Sequence, residues 1–599
     1  MSTRLLRVLR LPLLLAVLGI LAYARWSLNW EPAPKVWMTT PADQEALYSM
    51  QERIQSATRR VMPTVVAVKV GKADASSPGT PSGPEPYNSG VIITADGLIL
   101  SQFHVSHRLE WKPGDPVRSR QPGERTMAIL SDGRRIEAEL LGADMTFDLS
   151  LLRLLAPGPY PHAALEPSLH VGTGDWVLEM GHPTGYRRDR PPVVRLGRVL
   201  FQNRDIFVTD CFGTGGDSGG PFFDLEGRLV GIICSANTPE KIKGSLTNWA
   251  QEPPRIGPWS STTNRFIQQR LNGMLRLEIA AVDRLGAERL WESYRRVDDE
   301  EILPRDHWTR GERTAKAFQD AIRIPRRGVT AILDKAGRQV ALGTVVDADG
   351  WIMTTAGMLP AEPRCRLSDE QVLAATVVGV NPAFDLALLK VQRTNLAPIR
   401  WAEKPPPVAG TILAAVGMSE TPLAIGVVSV PRRDLPGPFP TRVSRRDARR
   451  PWAIGKPTAQ GYLVDSVYSG EAYEAGIRSG DVLLTIAGRD IRNDEDLLNC
   501  VRGRVEGEQL SVGLLRDGQR RDLTLSLVAE RKPFAGFPTF FEYDMPLAPD
   551  QCGGPVVDLR GYPEIYLLTG FNLRHIGDRR SERPSPEKQG EFNRISDSE

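Results

Sequence analysis

One strand-and-turn pattern occurs twice in this chain, and a sequence that spends its length that way is committed to a β architecture used in duplicate. Residues 90–105 read GVIITADGLILSQFHV, and residues 343–358 read GTVVDADGWIMTTAGM. FDLSLLRL (147–154) returns as FDLALLKV (384–391), and LGRVLF (196–201) as IGVVSV (425–430). Around the first copy, apolar runs at 64–70, 89–94, 98–103, 125–130, 134–142, 147–154, 175–180, 193–200, 204–210 and 227–236 are bounded by Gly and Asp turns. Short runs of this kind, with no regular helix between them, indicate an antiparallel sandwich or barrel. The 599 residues leave room for more than the two copies, since a domain takes roughly 100–200 residues.

Composition narrows the class. The chain is 41% apolar and 25% charged, as in globular proteins and unlike fibrous, wholly disordered or multi-span membrane chains. Seventy-five Lys and Arg against 72 Asp and Glu leave +3, too little to argue for nucleic acid. The Arg-rich stretch 431–450 is broken by Pro and lacks aromatic interleaving, so it reads as a solvated connector. Seven His and five Cys are scattered without ligand spacing, so neither a metal nor another cofactor is expected. At the N-terminus, Arg4, Arg7 and Arg10 precede an unbroken apolar run from Leu11 to Ala24 that ends in Ala-Tyr-Ala. Residues 1–24 are therefore a signal peptide or a retained membrane anchor. Either places the remainder outside the cytoplasm: periplasmic or otherwise exported, free or anchored to the inner membrane. Residues 43–60 carry helical spacing at Leu47, Met50, Ile54 and Ala57, which Pro63 ends.

Chemistry sits at three strand ends of the first copy. His104 follows LILSQF, Asp148 opens DLSLLRL, and Ser218 lies in GTGGDSGGPFFD (213–224). A serine nucleophile needs a base, and the base needs a carboxylate to fix its tautomer and support the imidazolium. Glycines around the serine let the backbone turn so that the N–H groups of Gly216 and Ser218 converge on an oxyanion. His107 and Asp144 are the nearest competitors for the base and its carboxylate. With SGVIITADGLILSQFHV (89–105), SDGRRIEAELLGADMTFDLSLLRL (131–154) and TDCFGTGGDSGGPFFDLEGRLVGI (209–232), this arrangement resembles the trypsin-like fold. It is closest there to the HtrA/DegP-like branch of exported proteases with PDZ domains. The resemblance implies two six-stranded barrels in a domain at 43–270, with His104 as base, Asp148 as its orienting carboxylate and Ser218 as nucleophile. It also implies that an Asp at 217 lacks its usual partner, a new N-terminus, because the barrel starts well inside the chain. Phe212, six residues before the serine, removes the usual counter-charge for a basic substrate side chain, so an apolar or small one is expected. By family topology Cys211 and Cys234 flank the serine loop and are candidates for a disulfide.

In the second copy the base is missing. From Gly90 to His104 is 14 residues, and the same step from Gly343 lands on Gly357. Asp385 matches Asp148. A nucleophile segment appears only at 540–567, where QCGGPVVDLRG mirrors DSGGPFFDLEG and puts Cys552 at the serine position. Between them, 460–528 resembles a PDZ domain, notably in GIRSGDVLLTIAG (476–488). By that resemblance Gly461, Tyr462, Leu463 and Val464 grip a peptide carboxylate. The expected fold is mainly β: two trypsin-like double β-barrel domains, the second degenerate, plus a PDZ domain, joined by a helical connector at 271–314. The degenerate domain is split between 315–430 and 533–575 around a PDZ domain at 451–532, and 580–599 is a disordered tail. Similar tandem proteins occur in planctomycete-type bacteria. The expected function is a serine endopeptidase acting on unfolded or damaged chains, with partners that are unfolded or C-terminal peptides and a second domain that frames the PDZ or supports homo-oligomers. The competing expectation is a non-enzymatic, chaperone-like scaffold.

Overall fold

The computed structural model describes residues 40–69, 85, 87–102, 122–144, 149–165, 171–202, 206–233, 260–263, 279–280, 302–381, 385–400, 406–434, 453–467, 472, 475–501, 508–526 and 539–565. Helix α1 (Gln44–Val61) opens this part of the chain. Asp43 caps it by accepting the Ala46 N–H at 2.9 Å, and Arg59 and Arg60 close its negative end. Pro63 then turns the chain into a short 3₁₀ turn at 62–64.

The first barrel follows: β1 (Val65–Lys69), β2 (Tyr87–Ile92), β3 (Leu98–Gln102), β4 (Arg125–Ile129), β5 (Arg135–Asp144) and β6 (Leu149–Leu154). It closes because β6 pairs with both β3 and β5. The second barrel is also closed, from β7 (Trp176–Gly181), β8 (Val193–Gln202), β9 (Ile206–Thr209), β10 (Pro221–Asp224), β11 (Leu229–Ile233) and β12 (Ser260–Thr263). Closure removes the free strand edges that would otherwise invite aggregation. The sequence predicts a helical connector at 271–314, but of its described residues β13 (Ile279–Ala280) is a strand pairing parallel to β5, and 305–307 form only a 3₁₀ turn. Short helices α2 (Glu312–Lys316) and α3 (Gln319–Ile322) then lead into the second copy.

That copy forms a third closed barrel of β14 (Val329–Leu333), β15 (Gln339–Asp347), β16 (Trp351–Thr355), β17 (Arg364–Arg366), β18 (Val372–Asn381) and β19 (Leu386–Val391). β20 (Ile412–Ala415) and β21 (Ala424–Asp434) begin a fourth sheet. The PDZ sheet comes next: β22 (Ala453–Pro457), β23 (Tyr462–Val467), β24 (Val482–Ile486), β25 (Arg489–Asp490), helix α4 (Asp494–Val501), β26 (Gln509–Arg516) and β27 (Gln519–Ser526). Beyond it the chain returns to the fourth sheet as β28 (Thr539–Tyr543), β29 (Val556–Val557) and β30 (Pro563–Ile565), giving the order β28-β21-β20-β29-β30. The fold is thus mainly β, with tandem trypsin-like barrels and a PDZ sheet.

The fourth sheet packs against the second barrel through β21 and β8, the LGRVLF and IGVVSV repeats. Leu178, Met180, Val194 and Leu196 share one core with Ile412, Ala414, Ile425 and Val427. Helix α1 buries Leu47, Met50 and Ile54 in that same core. Its polar face is also used: Gln51 Oε1 accepts the Ile412 N–H at 2.8 Å, and Arg53 pairs with Glu226 of the second barrel. Asp544, just after β28, is half-buried and accepts the N–H of Leu196 in β8 at 2.8 Å and that of Val427 in β21 at 2.6 Å. Asp544→Ala is expected to destabilise the chain in urea or guanidinium titrations, because each amide left buried without an acceptor costs about 1–3 kcal/mol. Asp544→Asn, which keeps one acceptor oxygen, should lose clearly less.

Candidate active site

The loop carrying Ser218 is wrapped around the side chain of the residue before it. Asp217 Oδ2 accepts the Thr214 N–H at 2.8 Å, the Asp217 N–H donates to the Thr214 carbonyl at 3.0 Å, and the Gly220 N–H donates to the Asp217 carbonyl at 2.8 Å. Gly216 has φ +102°, a left-handed conformation, and a Cβ there would run into the His182 carbonyl, so only glycine fits. Two external bonds orient the loop's peptides. The Thr184 N–H donates to the Gly215 carbonyl at 2.5 Å, and Ser89 Oγ donates to the Gly216 carbonyl at 2.8 Å. Among the described residues, neither the Gly216 N–H nor the Ser218 N–H has an acceptor. Ser218 is itself buried, and its carbonyl accepts the Ser89 N–H at 3.0 Å.

His104 and Asp148 lie outside the described residues, as do His107 and Cys234. Their described neighbours converge on the serine loop. Gln102 at the end of β3 and Leu149 at the start of β6 are cross-strand partners, and Ser150 Oγ donates to the Gln102 carbonyl at 3.0 Å. Gln102 Nε2 donates in turn to the Ile233 carbonyl at 2.5 Å, and Ile233 O also accepts the N–H of Gly219, next to Ser218.

Several groups at this site were not singled out in the sequence. Arg195 of β8 is buried and contacts two buried carboxylates, Glu179 of β7 at 2.8 Å and Asp217 at 3.0 Å. One guanidinium serves two carboxylates, and burial pushes Glu179 up to about 7 despite Arg195. His182 lies beside the loop; burial and then Arg190 depress it to about 3, so its imidazole is neutral, and neither ring nitrogen has a partner among the described residues. Arg310 stacks over the Phe212 ring at 4.6 Å. Cys211, a disulfide candidate in the sequence, is a buried free thiol.

The second copy repeats this geometry with other chemistry. The Leu342 N–H donates to the Cys552 carbonyl at 2.7 Å, as the Ser89 N–H does to Ser218. Thr354 Oγ1 donates to the Leu342 carbonyl at 2.6 Å, as Ser101 Oγ does to Ser89 at 2.8 Å. Gly357, Asp385 and Cys552 therefore meet at one place. Asp385 Oδ1 accepts the Gly357 N–H at 2.5 Å, and burial pushes this carboxyl up to about 7. Burial, and then Asp385 and Asp550, push the Cys552 thiol up to about 12, so it stays protonated. The PDZ domain leans on the site, for the Val467 N–H donates to the Gly357 carbonyl at 3.0 Å.

Tyr462, Leu463 and Val464 prove to be interior to the PDZ sheet, with β22 on one side and β24 on the other. Tyr462 and Val464 are buried, and the Val464 N–H already donates to the Asp481 carbonyl at 2.8 Å. The edge strand on that side is β22, which runs beside α4.

The sequence pattern of the trypsin-like peptidase domain matches residues 88–232 and 341–450, and that of the PDZ domain matches 425–527. Both halves carry peptidase sequence. The two patterns overlap at β21, which in the structure belongs with the fourth sheet and not the PDZ sheet. A probable periplasmic serine endoprotease DegP-like of Brucella suis is 32% identical over 178 residues, 28% of this chain and 31% of that one. The putative protease Do-like 14 of Arabidopsis thaliana is 31% identical over 198 residues, 31% of this chain and 43% of that one. The matched segments thus span less than half the length of these relatives. Among solved structures, the serine endoprotease from Yersinia pestis aligns with 80% of this chain and 98% of its own at 16% identity, with a TM-score of 0.28.

Asp385 supplies a pH test. Its folded-state carboxyl titrates near 7, above the ordinary value of 3.8. A raised value favours the proton in the folded state, so this contribution is present below about pH 4 and is lost as pH rises toward 7. Compared with wild type, Asp385→Asn should show a flatter fall in unfolding free energy across that window. Parallel pH profiles would remove the buried-carboxyl account.

Proposed function

We propose that the chain is an exported serine endopeptidase that cleaves unfolded or damaged proteins through an acyl-enzyme at Ser218. The observation that carries this reading is the Ser218 loop. Its Gly216 and Ser218 N–H groups have no acceptor among the described residues, and the carbonyls around them are held by Thr184 and Ser89. Two amides fixed in this way stabilise an oxyanion without reorganising at the moment of reaction. The relatives' printed names, a serine endoprotease and a protease, agree with it.

His104 takes the Ser218 proton as Oγ attacks the substrate carbonyl carbon, and Asp148 holds the imidazole in the required tautomer. The tetrahedral oxygen is received by the two amides. Collapse expels the amine, which leaves with the proton from His104, and water repeats the sequence on the ester. Phe212 favours an apolar or small side chain before the scissile bond. In the second copy Gly357 offers no base and Cys552 is a protonated thiol, so that site takes no part. A client peptide adds to the PDZ sheet as an extra strand at β22, beside α4.

The test is casein hydrolysis by the full chain, by Ser218→Ala and by His104→Ala. Both variants should lose at least about a thousandfold, as enzymes of this mechanism do when a triad member is removed. His107→Ala and Cys552→Ala should cleave like wild type. Equal hydrolysis by wild type and Ser218→Ala would end the enzymatic reading in favour of a binding scaffold.

A further inference from the structure

A buried charge cluster behind the serine loop has no counterpart in the second copy, although the strands around it do. In the first copy Glu179 of β7 and Arg195 of β8 are cross-strand partners, and Glu179 also faces Phe222 of β10. In the second copy the matching ladder pairs Ala415 of β20 with Ala424 of β21, and Ala415 faces Val556 of β29. The residue before Cys552, where the first copy has Asp217, is Gln551. All three charges are therefore absent together, from a site where Cys552 and Gly357 replace the serine and the histidine. The surrounding ladder is kept. Folding of this sheet does not require the cluster, and its presence tracks the serine.

We infer that Arg195 is a positioning residue for the oxyanion loop, acting through Asp217 as a built-in counter-ion that no chain cleavage has to supply. The inference rests on the serine-protease reading of the preceding section. Arg195 lies on a strand of a closed barrel, so its guanidinium is fixed by the scaffold. It holds Asp217 Oδ2 at 3.0 Å, and the same oxygen holds the Thr214 N–H. The turn from Thr214 to Gly220 is thereby closed around a carboxylate whose other oxygen has no partner among the described residues. Without Arg195 the carboxylate keeps only the Thr214 N–H and the field of Arg190, so it either takes up a proton or is hydrated by an opening of the turn, and both loosen its hold on Thr214. Such loosening moves the Gly216 and Ser218 amides. Glu179 belongs to the same unit: its Oε1 accepts from the same Nη1 that reaches Asp217, which restrains where Arg195 points.

The experiment uses the full chain with Arg195→Met, Arg195→Lys and the double variant Arg195→Met/Asp217→Asn. Two readouts are taken: kcat and KM on a Ser218-dependent peptide substrate, and amide exchange of residues 213–220. Arg195→Met should lower kcat by about a hundredfold or more, the scale of one lost oxyanion donor, with KM changed little. Exchange should quicken in 213–220 while β7 and β10 stay protected. Arg195→Lys should recover part of the rate, and the double variant most of it, since it removes the stranded charge. Wild-type kcat in Arg195→Met, or a loss of protection spread evenly over the barrel, would overturn the inference. If Arg195→Met does not fold, Arg195→Lys and the double variant carry both readouts. If wild type shows no Ser218-dependent turnover, the protease reading fails, yet exchange still decides: selective opening of 213–220 supports the positioning role and unchanged exchange refutes it.

Discussion

The tandem arrangement depends on a half-buried carboxylate that bonds to both halves. Asp544 comes from the segment after the PDZ sheet, yet it accepts an amide of β8 in the first copy and another of β21 in the second. Burial pushes its pKa up, while Arg310 and the two amides oppose that shift. A carboxylate so placed is stable only with all its donors present, which makes the joint cooperative. Asp210 is its counterpart in the first copy: it accepts the Arg198 N–H at 2.7 Å and the Thr309 N–H at 2.8 Å. Arg310 spans the pair, reaching the Asp544 carbonyl at 2.9 Å and the Asp210 carbonyl at 3.4 Å. β8 therefore has Asp544 bonded to Leu196 and Arg195 as the very next residue. The segment that completes the second copy also braces the strand behind the serine loop of the first.

Much of this was legible from residues alone, for particular reasons. Asp-Gly turns between apolar runs give away β2–β3 and β15–β16, because a turn needing positive φ at Gly97 and Gly350 leaves few other options. The match of QCGGPVVDLRG to DSGGPFFDLEG exposed the second nucleophile segment. Other features carry no local signal. β12 reads SSTT, and only its partners β9 and β11 make it a strand. Amphipathic spacing in α1 says that one face is buried but not that it is shared between both copies. Glu179 and Arg195 stand in strands where a charged residue ordinarily faces water, and only closure of the barrel turns them onto Asp217. Gly461–Val464 misled because an apolar strand looks the same whether it is buried in a sheet or open to a peptide. β22, short and ending in Pro457, has the sequence of an edge.

In the second copy the position matching His104 is Gly357, and its backbone is used structurally. A Cβ at residue 357 would run into the Val467 carbonyl at the end of β23 and come to 3.1 Å from Asp385 Oδ1. A histidine there and the PDZ strand end cannot occupy the same space. The Gly357 carbonyl instead accepts the Val467 N–H, and its N–H satisfies Asp385, so the backbone of one glycine does the work of a side chain on both sides. Lys335 at the β14–β15 turn faces Asp517 in the β26–β27 turn at 3.7 Å, an exposed pair that adds little by itself. The main-chain bond is the stronger constraint, because it joins two strand ends whose own sheets are fixed. With the imidazole gone, the carboxyl of Asp385 has no cation to hold. Burial raises its pKa to about 7 against the two backbone amides, Gly357 and Ala356, that favour the charged form, so near neutrality it holds a proton part of the time and serves as a hydrogen-bonding group of the frame.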